Sequence, residues 1–176
     1  MIPGFLVAFL FFPGVIVHEM AHLLFCRLLG VEVMKVCYFR MGNPPGYVIH
    51  EQPENAWQQM LIGIGPFLVN SILGGLLAGA FIQQAFSNEL NWPAIVYTWL
   101  GISIAMHAFP SMGDAKTIWH RNWSKSSPIL TRIIGAPLAA IIYLGALGSV
   151  IWLDVAYAFG LAYLVSKWIL PAFGQY

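Results

Sequence analysis

Charge is what this chain most lacks. Its 176 residues include 8 Lys or Arg and 7 Asp or Glu, so 9% are charged, where a soluble domain carries about 25%. Hydrophobic residues make up 59% of the chain and its mean hydropathy is +0.74. So few polar side chains cannot cover that much apolar surface in water, which excludes a soluble globule and puts the chain in a lipid bilayer. A net charge of +1 excludes a basic stripe for nucleic acid. Cysteine is equally scarce: Cys26 and Cys37 are too few for a disulfide framework. Histidine is limited to His18, His22, His50, His107 and His120, short of the several clusters that a di-iron membrane oxidase or desaturase needs.

Long apolar runs, by contrast, are abundant. Five of them, at residues 3–29, 57–86, 92–109, 128–153 and 155–170, span or nearly span a ~30 Å hydrocarbon core at about 20 residues each. Trp57, Trp92, Trp152 and Trp168 lie near their ends, as interfacial aromatics do. The first run has no Lys or Arg before it and no small-residue cleavage site after it, so it reads as a retained span ending at Gly30. Between the first two runs, residues 31–39 are rich in β-branched and aromatic side chains. Asn43, Pro44, Pro45 and Gly46 then form a turn signal, and Tyr47 to His50 returns as a second strand. The expected fold is an all-α polytopic membrane protein of about five transmembrane helices, with a short membrane-associated β-hairpin between the first two.

The cations suggest an orientation. Arg27, Lys35 and Arg40 follow the first run, Lys116, Arg121, Lys125 and Arg132 follow the third, and Lys167 lies near the end of the fifth. The loop after the second run offers only Glu89, and that after the fourth only Asp154. By the positive-inside rule the N-terminus is then outside and the C-terminus cytoplasmic, as in a multi-pass protein of a prokaryotic cell membrane. Both cysteines fall near the reducing side.

Within the first run, His18 and His22 are four residues apart and so project from one helical face about 6 Å apart. That spacing lets two imidazoles reach one tetrahedral Zn²⁺ at ~2.0–2.1 Å. Glu19 stands beside the metal position, where a carboxylate can take a proton from an attacking water and deliver it to a leaving amine. The bland alternative is a pair of bundle histidines with Glu19 as counter-charge. Within a membrane span that alternative weakens, because ionisable groups there are costly. Cys26 shares the face but lies about 12 Å of helix rise from His18, too far for one ion. Asp114, just beyond the third run behind Pro110 and Gly113, is at a compatible depth as third ligand. His107, Glu51 and Glu54 stand behind it. Asp154 is set aside because the charge rule assigns it to the opposite face. In the second run Pro66 removes a backbone donor and frees the carbonyl of Ile62. Asn70, a turn later, is either an interhelical hydrogen-bonding group or, with His107, a support for substrate or oxyanion.

In this order, the His18–His22 motif, the strand-rich segment 31–50, the Gly65-Pro66…Asn70 feature and the Pro110…Asp114 break resemble the site-2 protease family of intramembrane zinc metalloproteases, over roughly residues 5–120. Two details depart from that family: glycine precedes Asp114, and Asn70 follows Pro66 by four residues instead of three. The resemblance implies a three-helix protease core over residues 3–120; two additional helices are expected over 128–172, and no soluble stretch is long enough for a regulatory domain. It implies Zn²⁺ as cofactor, Glu19 as the catalytic base, and a transmembrane segment of another protein as substrate, unwound and paired with the strand at 31–39. The competing expectation is a membrane metal-binding or transport protein without catalysis.

Overall fold

The computed structural model describes residues 4–88, 90–124 and 127–173; Pro3, Glu89 and Lys125 lie outside the described residues. Helix α1 (Gly4–Leu10) and α2 (Phe12–Leu28) form the first apolar run, broken at Phe11. The break follows from Pro13, which has no N–H to give. The Ser103 hydroxyl closes it, donating to the Phe11 carbonyl at 2.8 Å and accepting the Gly14 N–H at 3.0 Å. α2 stops as expected, with Gly30 in the left-handed region at φ 69.

A hairpin follows. β1 (Val33–Cys37) pairs antiparallel with β2 (Tyr47–His50), Cys37 opposite Tyr47 and Val33 opposite His50. It lies back along α2, with Phe39 against Phe12 at 5.8 Å between ring centroids.

Helix α3 (Ala56–Ala85) is the axis of the molecule. It opens on a capping box in which Asn55 and Gln58 each accept the other's backbone N–H. α2 packs antiparallel to it, His22 beside Ile62 and Leu29 beside Gln58. α4 (Trp92–Met106) is also antiparallel. Side chains added at Gly74 and Gly101 would strike the backbones of Ala105 and Ala78, so absent side chains let these two helices meet closely. α5 (Met112–Asn122) continues from α4 after a break, crossing the start of α3, where Gln59 donates to Thr117 at 3.2 Å.

α6 (Ile129–Gly148) runs back along α5, Gly135 against Asn122 and Gly145 against Phe109. The chain then reverses through a 3₁₀ turn (Ser149–Ile151) and Trp152 at φ 62 into α7 (Leu153–Leu164). A π-helical turn (Val165–Ile169) continues it into α8 (Leu170–Phe173).

Three of these helices are long and apolar enough to cross a membrane: Ala56–Ala85, Ile129–Gly148 and Leu153–Ala172. Trp92–Met106 is apolar but shorter. The last two apolar runs depart from the expected topology. Tyr157 hydrogen-bonds Ser71 at 2.7 Å, Leu161 packs on Gly75 and Val165 on Gly79, so α7 runs parallel to α3 instead of returning against it. Lys167 therefore sits toward the end of α3, far from Arg27 at its beginning. Hydropathy marks an apolar run but carries no information on where it folds back; here the turn at residues 149–152 lies at the level of Phe109 and Tyr157, whose rings touch at 5.0 Å. That places Asp154 inside the bundle, not on the opposite face.

Candidate metal centre

Three side chains from two separate elements converge. His18 and His22 of α2 and Asp114 of α5 bring their ligating atoms within 4.8 Å of one another. His22 Nε2 lies 3.6 Å from Asp114 Oδ1. The rings meet edge to face, 4.9 Å between centroids, as two imidazoles one helical turn apart must when both turn to one point.

Each ring is oriented from behind by a backbone carbonyl. His18 Nδ1 donates to the His107 carbonyl at 2.7 Å and His22 Nδ1 to the Ile62 carbonyl at 3.0 Å. A carbonyl only accepts, so both rings carry their proton on Nδ1 and offer a bare Nε2. These two carbonyls are available for stated reasons. Pro66 has no N–H for Ile62, and His107 follows the last turn of α4, where no helical donor comes.

Asp114 is held by a capping box at the start of α5. Its Oδ2 accepts the Ser111 N–H at 2.8 Å and the Ser111 hydroxyl at 2.7 Å, while the Ser111 hydroxyl accepts the Asp114 N–H at 3.2 Å. The cap consumes one carboxylate oxygen and turns the other toward His22. Burial works against the charged carboxylate, but the His22 ring, when protonated, and the Ser111 hydroxyl outweigh it and hold Asp114 well below the usual carboxylate range. Of the two sequence readings of Asp114, the helix cap is formed by one oxygen, and the other oxygen stands among the groups that could hold a metal ion.

The donor set fits zinc. Two imidazoles and a carboxylate, with the second ring nitrogens bonded to carbonyls, would hold the ion at the edge of a cavity. That cavity is about 480 Å³ and is bordered by Glu19, Gly46, His50, His107, Ser149 and Asp154 as well as the three ligands. Glu19 is buried and lies under the hairpin. A Cβ on Gly46 would come 2.7 Å from Glu19 Cγ and 2.9 Å from its Oε1. A side chain at position 46 would force this carboxylate or the hairpin to shift.

Other expected site residues fall elsewhere. Glu51 and Glu54 are exposed and outside the donor set. Cys26 is buried and also outside it. His107 borders the cavity, but its Nδ1 bonds the Ser103 carbonyl at 2.9 Å; its backbone, not its ring, serves the metal set. Asn70 corrects the oxyanion expectation. It is fully buried, does not border the cavity, and its amide nitrogen shares its two hydrogens among the carbonyls of Gly14, Ile104 and His107 at 3.1–3.3 Å. It pins α2 and the end of α4 to α3. Asn70→Ala is accordingly expected to lower stability by about 1–2 kcal/mol, the scale of interhelical hydrogen bonds in membranes, read as earlier thermal unfolding in detergent.

β2, not β1, borders the cavity, through Tyr47, Val48 and His50. Sequence reasoning passed over Gly46, Ser149 and Asp154. For Gly46 the signal was present, a glycine closing a double-proline turn; for the other two it was not, because their place depends on the reversal between α6 and α7.

Residues 11–120 match a family described as "Putative zincin peptidase". No curated protein and no solved structure matches the chain.

Proposed function

Since the chain belongs to this family of zincin-type peptidases and zinc is its cofactor, we propose that it is an intramembrane metalloprotease that hydrolyses a peptide bond in a transmembrane segment of another membrane protein. The observation that carries this reading is the place of the donor set. His18 and His22 sit on α2, packed on the first part of α3 and the end of α4, and Glu19 faces a cavity to which two helices of membrane length contribute Gly145, Ala146 and Asp154. A peptidase acting on soluble chains has no reason to put its ligands there. In this reading the five apolar segments, α1–α2, α3, α4, α6 and α7, lie in the bilayer.

Zinc, when bound by His18, His22 and Asp114, supplies Lewis acidity, polarising the scissile carbonyl and making a water acidic near neutral pH. Glu19 takes the proton of the attacking water and returns it to the leaving amine. The carbonyls of Ile62 and His107 keep both imidazoles in the tautomer the metal needs. Gly46 closes the hairpin over Glu19 and excludes bulk water from it. A substrate helix must unwind to expose its backbone, and the free edge of β2 is positioned to accept the unwound strand. This moves the pairing surface from the residue 31–39 strand to its partner.

The test is cleavage in a membrane. Purified protein reconstituted in liposomes with a single-span protein of apolar sequence should release fragments whose new ends, by mass spectrometry, lie within the apolar segment. A zinc chelator should stop the reaction and added zinc restore it. Cleavage confined to water-exposed segments would sink the intramembrane assignment, and zinc retention without any cleavage would favour a metal-binding or transport role.

A further inference from the structure

The cavity holds one more carboxylate than hydrolysis uses. Asp114 belongs to the donor set and Glu19 to the water, but Asp154 also borders the same space, at the turn between α6 and α7. It is half-buried at the head of an apolar helix long enough to cross a membrane, where a carboxylate is costly and ordinarily retained for a task. The turn that delivers it puts Trp152 at φ 62, a conformation unfavourable for a bulky L-residue.

Its own bonding leaves it available. Oδ1 accepts the Val155 N–H at 2.9 Å, within its own turn, and no Lys or Arg pairs with it among the described residues. His107 is its electrostatic neighbour, but that ring bonds the Ser103 carbonyl at 2.9 Å. On the same wall Ser149 donates its hydroxyl hydrogen to the Ala146 carbonyl at 2.8 Å, so its oxygen is left as an acceptor. Gly145 and Ala146 border the cavity beside it. This wall offers acceptors and negative charge. It adjoins the donor set through His107, whose carbonyl holds His18.

We propose that Asp154, with Ser149, forms a specificity subsite that selects substrates carrying a lysine or arginine close to the bond cleaved. The inference rests on the peptidase reading and gives it a substrate class: apolar segments bearing an isolated basic residue. A long basic side chain reaches such a subsite while its stem stays against apolar surface. A purely structural role, an acid in the first turn favoured by the helix dipole, would survive replacement by asparagine only in its hydrogen bond, and would be indifferent to the substrate.

The test separates recognition from hydrolysis. Full-length Glu19→Gln protein, purified with zinc in detergent, is titrated with short N-acetylated apolar peptides carrying one central Lys, Arg, Gln or Glu. The Lys and Arg peptides are expected to bind about tenfold more tightly than the Gln peptide, the scale of a desolvated charge pair. In the Glu19→Gln/Asp154→Asn protein all should bind alike, at the level of Gln. Equal or undetectable binding of the Lys and Gln peptides, a preference that persists without Asp154, or one that appears only with a free α-amine would each overturn the subsite. Failure of the peptidase reading looks different: a basic preference in binding, with no peptide cut by the wild-type protein. Cleavage without basic preference removes the subsite alone.

Discussion

Glu19→Gln is expected to abolish peptide hydrolysis and to leave zinc in place. Glu19 is outside the donor set, and its carboxylate sits in the cavity beneath Gly46. Glutamine has nearly the same shape, so the hairpin still closes and His18, His22 and Asp114 keep their geometry. What disappears is the group that accepts and returns a proton. Loss of a positioned general acid–base group typically costs about 10²–10⁴-fold. Cleavage rate and zinc content measured on one preparation decide it. Activity retained by the glutamine variant would remove Glu19 from the chemistry and return the protein to the metal-binding class.

The second large effect is at Asp114. Asp114→Ala should lose zinc, because two imidazoles alone make an incomplete site, while His107→Ala should keep it. Changes merely behind a ligand cost about 10–100-fold in metal affinity, so loss of the ligand itself should exceed that. Alanine also removes the capping box with Ser111, which costs about 1 kcal/mol at the start of α5. Asp114→Asn separates the two effects. The amide oxygen can still take the Ser111 N–H, but the neutral group is a poor ligand. Both variants are expected to lose zinc, and only alanine to weaken α5. Undiminished zinc in either would mean that Asp114 is a cap and nothing more.

How far the sequence led depends on the kind of information each feature needs. The His18 and His22 pair was legible because helical periodicity is local: four residues put two side chains on one face whatever the fold. The hairpin was legible for the same reason, from alternating strand formers around a double-proline turn, and β2 falls on the expected Tyr47–His50. Asp114 required a helix break at the right depth, which Pro110 and Gly113 signalled. The role of Asn70 was not legible, since a buried amide in an apolar helix looks the same whether it faces a substrate or three carbonyls. The direction of α7 was not legible either. Charge counting assumes that each apolar run crosses in turn, whereas α6 folds back beside α5 and α7 starts within the bundle. The misplacement of Asp154 followed directly from that assumption.

The carbonyls of Ile62 and His107, which aim the two imidazoles, belong to the main chain. Every amino acid supplies the same oxygen, so drift at positions 62 and 107 can alter packing without disturbing the orientation of the ligands. What cannot drift freely is the irregularity that leaves those oxygens without helical donors: proline at 66 and the interruption after α4. The heritable record of the ring orientations is therefore written about one turn away from the oxygens that set them, in the proline and the helix break.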